Sequence, residues 1–270
     1  MYRGFQLIDI ESYYYSWRTR LYSLEKEKMN KLNLWNELIQ LNQSKVEEAI
    51  DACFFKDGSI DGSRMQENWF PQVKADVFIS HSHGDEKLAQ NLSKWLYVTL
   101  GLKAFVDSDV WGYAPRLEEK LLKLYVPSSF EEEELRKLVS AHVHMMLSVA
   151  LNQMIDNTEC LFFLNTPNSI SIDAPTDGTT PSPWVYSEMA MSRLIRKKSK
   201  GEHRGLLLES EQDHFATRTI RYTLPMDHLT KLDSGRLWDW ERKWDGHSLE
   251  LNDRVTALDY LYELNPLKKR

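Results

Sequence analysis

The residue pair best suited to chemistry in this sequence is Trp184 and Glu188. They lie four residues apart at the predicted start of a helix, so their side chains project from the same face. A carboxylate beside a large aromatic surface can receive a flat, cationic group. A core tryptophan next to a solvated glutamate would give the same spacing, so the pair alone predicts only a candidate site.

A polar run at residues 80–85, with the sequence SHSHGD, suggests two further kinds of site. One is a Ser-His-Asp triad, but triad members are usually brought together by the fold from distant positions, so their adjacency is no evidence for one. The other is a metal pair of His81 and His83, but no further ligand lies nearby at metal spacing. We expect a polar loop and helix start, which can also line a ligand pocket.

The elements that must position these residues alternate between strand and helix. Val77–Ser80, 103–107 and Cys160–Leu164 are short apolar runs without alternation, which is typical of strands covered on both faces. Two weaker candidates for a fourth and fifth strand are 206–208 and 220–224. This order predicts an α/β fold with a parallel, doubly wound sheet and flanking helices.

Helix boundaries can be predicted at two positions. Gly101 follows the helical segment that contains Leu88 to Leu96, where a glycine commonly ends a helix. Ser182 and Pro183 fit an N-cap and the first turn of the helix that carries Glu188. Further helices are predicted at 142–154, 236–244 and 253–264.

A ligand site in an open parallel sheet lies outside the carboxyl ends of the strands. Three loops leave such ends here, at 80–84, 107–113 and 165–187. The sequence contains no G-x-G-x-x-G fingerprint, no P-loop and no G-x-S-x-G elbow, so it supports neither a Rossmann dinucleotide fold nor a P-loop enzyme nor an α/β-hydrolase.

The first 70 residues have a different texture. No glycine or proline occurs between Gly4 and Gly58, and apolar residues fall at helical spacing, which predicts two or three helices over 10–54. A turn cluster at 57–63 closes this part. We therefore predict a helical N-terminal segment over 1–70 and a second domain over 71–270. The helices either brace that domain, join two chains or receive a trigger protein.

Composition excludes several classes of protein. The net charge is −6, with 40 acidic and 34 basic residues, so no general attraction to nucleic acid is expected. The longest apolar run has five residues, far below the ~20 of a membrane span, and no signal peptide is recognisable. Two cysteines provide neither a disulfide framework nor a zinc set. These features predict a soluble, cytoplasmic protein that does not bind membranes.

Four segments in order resemble the motifs of a TIR (Toll/interleukin-1 receptor) domain. They are DVFISH at 76–81 followed by DEKLAQ, GLKAFVDSD at 101–109, NTECLFFLN at 157–165 and PWVYSE at 183–188. The last matches the W-x-x-x-E pattern of TIR domains that cleave NAD⁺. The resemblance covers roughly residues 74–200, and its strength lies in the order and spacing of the motifs.

The resemblance implies a flavodoxin-like TIR domain that acts as an NAD⁺ nucleosidase, of the bacterial type that serves antiviral defence. It implies that Glu188 is the catalytic residue. It also implies a substrate site bordered by His81, Ser82, Asp107, Trp111, Gly112 and Trp184. NAD⁺ is then the substrate, and neither a metal nor another cofactor is required. TIR domains commonly act as homo-oligomers.

Three functions remain open on the sequence alone. An NAD⁺ nucleosidase would release nicotinamide and form ADP-ribose or a cyclic or conjugated ADP-ribose signal. A non-catalytic TIR adaptor would only associate with other TIR domains and would need no carboxylate at Glu188. A nucleoside deoxyribosyltransferase-like enzyme also uses a carboxylate on a similar sheet.

Overall fold

The strands in the described part of the chain are short, and the first five of them are fully buried. In chain order they are β1 (Arg3–Leu7), β2 (Val77–Ser80), β3 (Ala104–Phe105), β4 (Cys160–Leu164), β5 (Thr179–Thr180), β6 (Tyr222–Thr223) and β7 (Thr230–Leu232). The computed structural model describes residues 1–10, 30, 33–34, 37, 53, 60–111, 114–124, 132–170, 179–205, 222–223, 226, 228–245 and 256–266.

Five of these strands form one parallel sheet in the spatial order β3-β2-β4-β1-β7. Cys160 of β4 pairs with Val77 on one side and with Arg3 on the other, so β4 lies at the centre. The strands β5 and β6 form a separate antiparallel pair. The prediction of an α/β fold with a parallel sheet is confirmed, and the arrangement is compatible with a flavodoxin-like fold.

The N-terminal strand corrects one prediction. We expected a helical segment over 1–70, but Arg3–Leu7 is a fully buried strand hydrogen-bonded between β4 and β7. Residues before 10 therefore belong to the same sheet as the strands after residue 70. The polar residues Arg3 and Gln6 interrupt the apolar pattern of β1, which is why the sequence did not indicate a strand. Of the helices predicted over 10–54, residues 30, 33–34 and 37 are helical, and most of the remainder lies outside the described residues.

Besides the helical residues at 30, 33–34 and 37, nine α-helices in the described part of the chain have both ends defined. They are α1 (Gly62–Trp69), α2 (Glu86–Leu100), α3 (Asp107–Val110), α4 (Ala114–Leu124), α5 (Glu132–Asn157), α6 (Pro183–Leu194), α7 (Lys200–Gly205), α8 (Ser234–Asp245) and α9 (Ala257–Leu264). A 3-10 turn, His83–Asp85, precedes α2. The three helices predicted at 142–154, 236–244 and 253–264 correspond to α5, α8 and α9.

Local sequence explains where several helices begin and end. Gly101 ends α2 with a φ of 68°, a left-handed conformation that glycine adopts without steric cost. Ser182 caps α6 by accepting a hydrogen bond from the Val185 N–H at 3.3 Å, and Pro183 occupies the first turn. Both boundaries match the prediction. The turn predicted at 57–63 continues into α1, because Asp61 accepts a hydrogen bond from the Arg64 N–H and starts that helix.

Alternate residues of the strands point into two hydrophobic cores, one on each face of the sheet. Phe78, Leu161 and Phe163 pack against α1, α4, α5 and α6 on the first face. Phe5, Ile79 and Phe162 pack against α2, α8 and α9 on the second face. The fold is therefore a three-layer α/β/α arrangement.

Helix α5 is long and apolar enough, by length and composition alone, to cross a membrane. Its buried side chains, from Leu135 to Ile155, all belong to the core on the first face of the sheet. The helix packs as a core helix of this fold.

Of the two weaker strand predictions, only the one at 220–224 can be compared with the structure. The segment 206–208 lies outside the described residues. Within 220–224, Tyr222–Thr223 is a strand, but it pairs with Thr179–Thr180 away from the main sheet. The fifth parallel strand is instead Thr230–Leu232, a short edge strand with only Leu232 fully buried.

Candidate functional site

The candidate site lies at the carboxyl edge of the sheet, next to β2 and β4. The chain leaves β2 toward β3 on one side and then crosses to β4 on the other side. Such a reversal leaves a crevice outside the ends of the two central strands, which is where open α/β sheets bind ligands. The loops after β2 and β4 both begin at this point.

Glu188 reaches this edge from α6. Its Oε2 accepts a hydrogen bond of 2.5 Å from the hydroxyl of Ser80, which is the last residue of β2. Glu188 is only 6% exposed and Ser80 is completely buried. The Ser182 cap defines where α6 begins, and Glu188 lies in the second turn of that helix.

Burial raises the pKa of Glu188 from an ordinary value of 4.5 to about 8. The main cause is the loss of water around the carboxyl, and the negative charge of Asp107 adds to the rise. The Ser80 hydroxyl opposes it, because a donor stabilises the ionised carboxylate. A carboxyl with these properties at a strand end is a candidate for chemistry near neutral pH.

His81 and Asp107 form the second pair at this edge. The Nε2 atom of His81 is 3.7 Å from Oδ1 of Asp107, and its Nδ1 lies 3.3 Å from the carbonyl oxygen of Ile79. The His81 side chain is 8% exposed, whereas Asp107 keeps 44% of its side chain in solvent. Asp107 begins α3 immediately after the β3 region, so it offers an accessible carboxylate near the buried one.

Ser82 turns toward a different carboxylate. Its hydroxyl donates to Oδ2 of Asp85 at 2.6 Å. Asp85 is 5% exposed and also accepts hydrogen bonds from Thr166 and Asn168, in the loop after β4. Ser82 is therefore part of a bridge between two loops at the carboxyl edge.

Trp184 lies one turn before Glu188 and is half-buried. Its ring meets the His144 ring of α5 edge-on, with centroids 5.5 Å apart. His144 in turn has its Nε2 3.6 Å from Oε1 of Glu118 on α4. These contacts join three helices on the first face of the sheet, which gives Trp184 a packing role.

Trp111 occupies the core in the described structure. It is 4% exposed, its ring packs edge-on against Phe70 and Phe105, and its indole N–H donates to the Pro71 carbonyl at 2.9 Å. The ring offers no open face to a ligand in this packing, which corrects the expectation that Trp111 borders the substrate site. Gly112, which was predicted to border the same site, lies outside the described residues.

The sequence did not indicate several polar residues of this edge. Ser80 was placed at a strand end, but nothing marked it as the partner of a residue 108 positions away. Asp85, Thr166 and Asn168 are likewise joined across about 80 positions. Asp109 is a further buried carboxyl, and its burial raises its pKa to about 6 although Gln90 donates a hydrogen bond to it.

The arrangement suits electrostatic stabilisation of a cation by a carboxylate. No group of three or more His, Cys, Asp or Glu side chains able to hold a metal ion occurs among the described residues. The polar groups that this edge offers for chemistry are the Glu188 carboxyl, its Ser80 donor and the nearby His81–Asp107 pair. No protein-family model, curated protein or solved structure matches the chain.

Proposed function

We propose that this protein is an NAD⁺ nucleosidase with a TIR-like, flavodoxin-like domain, and that Glu188 is its catalytic residue. The observation that carries the proposal is the Glu188 carboxyl, which is 6% exposed and hydrogen-bonded to Ser80 at the carboxyl end of β2, an interior strand of the parallel sheet. That position agrees with the W-x-x-x-E resemblance and with the general place of ligand sites in such sheets.

The proposed reaction needs one well-placed carboxylate. NAD⁺ carries a positively charged nicotinamide, which is already a good leaving group. Breaking its bond to the ribose develops oxocarbenium character on the sugar, as in glycoside hydrolysis. An ionised Glu188 beside that carbon stabilises the positive charge, and a preorganised group of this kind contributes ~10²–10³ in rate.

The raised pKa of Glu188 fits a cationic substrate. Near neutral pH much of the free protein holds Glu188 protonated, because burial raises its pKa to about 8. A cation bound next to the carboxyl favours the ionised form and lowers that pKa. Substrate binding is then coupled to proton release, and near neutral pH the bound cationic ring increases the fraction of Glu188 that carries the charge needed for catalysis.

The neighbouring residues supply binding groups in this proposal. Asp107 keeps much of its side chain in solvent and can accept hydrogen bonds from ribose hydroxyls. His81 holds Asp107 in place, and Ser82 lies two residues beyond Ser80 on the same loop. Trp184 supports the helix that carries Glu188 through its contact with His144.

The alternative of a TIR adaptor makes no use of these groups. Burying a carboxyl is costly unless hydrogen bonds and function compensate it. An adaptor acts through its outer surface and could place an apolar residue at position 188 at lower cost. We also propose that the protein is a cytoplasmic homo-oligomer in antiviral defence, and that a trigger protein binds the helices predicted over 10–54.

Purified protein incubated with NAD⁺ tests the proposal. Chromatography should detect free nicotinamide together with ADP-ribose or a cyclic or conjugated product. Folded protein that releases no nicotinamide at any protein concentration would reject the enzymatic function and leave the adaptor. Release of a free base from deoxynucleosides, with NAD⁺ left intact, would instead favour a deoxyribosyltransferase-like enzyme.

A further inference from the structure

Two loops at the carboxyl edge of the sheet meet on a single buried carboxylate, Asp85. From the loop after β2, the Ser82 hydroxyl donates to Oδ2 at 2.6 Å. From the loop after β4, the Thr166 hydroxyl donates to Oδ2 at 2.5 Å and the Asn168 amide donates to Oδ1 at 2.9 Å. Asp85 is 5% exposed, so these three donors replace most of its water.

The loop after β4 is itself rigidly built. The Ser169 hydroxyl donates to the Leu164 carbonyl at 2.7 Å and accepts from the Thr166 N–H at 2.9 Å. The Asn168 N–H in turn donates to the Thr166 hydroxyl oxygen at 3.2 Å. Thr166 and Asn168 therefore present their side chains to Asp85 from a turn that is anchored on the end of the central strand.

The two loops also touch directly. A Cβ atom added at Gly84 would lie 3.1 Å from Cγ of Asn168, which is tighter than ordinary van der Waals contact. A methyl group at position 84 would require the Asn168 side chain to shift by a few tenths of an ångström. The glycine and the carboxylate together keep the loops in close contact beside Ser80, the partner of Glu188.

We propose that Asp85 is a positioning residue that locks the loop after β4 onto the loop after β2 and thereby sets the shape of the substrate entrance. Its effect on substrate binding rests on the proposed NAD⁺ nucleosidase function. Its effect on the loops does not, because the three hydrogen bonds join groups of the protein itself. Asp85 acts through Ser82, Thr166 and Asn168 and does not touch the reacting atoms.

Exchanging the carboxylate of Asp85 with the amide of Asn168 tests whether this contact holds the two loops together; we call the contact the lock. Asn168 is exposed, so Asn168→Asp should leave the fold intact. The new carboxylate would face that of Asp85, because the Asn168 amide nitrogen now lies 2.9 Å from Oδ1 of Asp85. Adding Asp85→Asn to that variant restores a donor and an acceptor with their places exchanged. Gln153→Glu is the matched control, because it adds the same charge at an exposed position. Gln153 lies near the end of α5, which leads into the start of β4, at the opposite edge of the sheet from Asp85.

The kinetic result separates positioning from general structural damage. Asn168→Asp should raise KM for NAD⁺ about tenfold with kcat changed less than about threefold, and the double variant should recover most of that loss. Gln153→Glu should leave both constants close to those of the unchanged protein. An Asn168→Asp variant that behaves like the control, or a double variant that recovers nothing, would overturn the proposal.

Amide hydrogen exchange gives a result that does not depend on activity. Exchange over 165–170 should be at least ~10-fold faster in Asn168→Asp and should return toward its original rate in the double variant. If the protein cleaves no NAD⁺ but this pattern is found, the proposed function fails and the lock stands. Exchange that is unchanged in Asn168→Asp overturns the lock whatever the activity.

Discussion

Glu188→Gln should change how the stability of the protein depends on pH. Gln keeps the shape of the side chain but cannot ionise. A rise in the pKa of Glu188 from 4.5 to about 8 corresponds to ~4–5 kcal/mol, because a tenfold change in an ionisation constant is worth ~1.36 kcal/mol. That free energy is the cost of ionising Glu188 in its buried position compared with the unfolded chain.

The direction in which the free energy of unfolding changes with pH follows from which state, folded or unfolded, binds the Glu188 proton. Between pH 4.5 and about 8 the unfolded chain has lost the Glu188 proton while the folded protein still holds it. The free energy of unfolding therefore falls as the pH rises through this range and becomes level above it. The Gln variant lacks this fall, so it should gain about 4 kcal/mol relative to the unchanged protein between about pH 5 and about pH 9.

Urea unfolding of both proteins at the two pH values measures the effect. Glu134→Gln on the exposed side of α5 is the control, because its carboxyl meets water in both the folded and the unfolded state. The control should show the same difference from the unchanged protein at both pH values. A difference for Glu188→Gln that does not change with pH would refute the argument that burial holds this carboxyl protonated, whatever the protein does with NAD⁺.

Three further outcomes are expected from the same structure. The kcat/KM for NAD⁺ should rise with pH up to about 8 and then level off, because Glu188 must be ionised. Ser80→Ala should move this rise to higher pH, because it removes the donor that lowers the pKa of Glu188. A kcat/KM that does not change with pH across this range would contradict the assignment of Glu188 as the catalytic residue. In urea unfolding, Trp184→Ala should lower the free energy of unfolding by less than the ~3–5 kcal/mol expected for a fully buried tryptophan, because its ring is only half-buried against His144. Unchanged stability with a raised KM would make Trp184 a substrate contact instead. Specific activity of the full chain should fall on about a hundredfold dilution if neighbouring copies complete the site, and a monomer with constant activity in light scattering would reject self-assembly.

The N-terminal strand changes how residues 1–70 can be studied. Removing all of them would delete β1 from between β4 and β7 and so open the middle of the sheet. Any loss of activity in such a variant would follow from the damaged sheet. Dilution of the full chain is therefore the appropriate test of association, and a shortened variant must keep residues 1–10.

Much of the sheet could be predicted because it depends on local pattern. Val77–Ser80 and Cys160–Leu164 are continuous apolar runs, as strands covered on both faces require. Gly101 and Ser182 mark helix ends through backbone conformation and capping, which short segments of sequence encode. The strand β1 was not predicted from the sequence, because Arg3 and Gln6 are polar residues that interrupt its apolar pattern. Both are buried through hydrogen bonds to partners more than 200 residues away.

The candidate site could be predicted only in part. The position of Glu188 at the sheet edge followed from the order of strands and helices, and the structure places it there against Ser80. The partners of Asp85 could not be predicted, because hydrogen bonds across about 80 residues leave no periodic signal. Trp111 was misjudged since an aromatic residue in a loop at a strand end can turn inward as readily as toward a ligand.

The most direct test of the central claim compares two buried glutamates for NAD⁺ cleavage at about pH 9, where Glu188 is ionised. Glu241 is 6% exposed, like Glu188, but it lies on α8 against the opposite face of the sheet. Nicotinamide release should fall at least ~100-fold in Glu188→Gln and stay within roughly threefold in Glu241→Gln, with both variants folded. Undiminished release by folded Glu188→Gln, or equal losses in the two variants, would contradict the assignment of Glu188 as the catalytic residue.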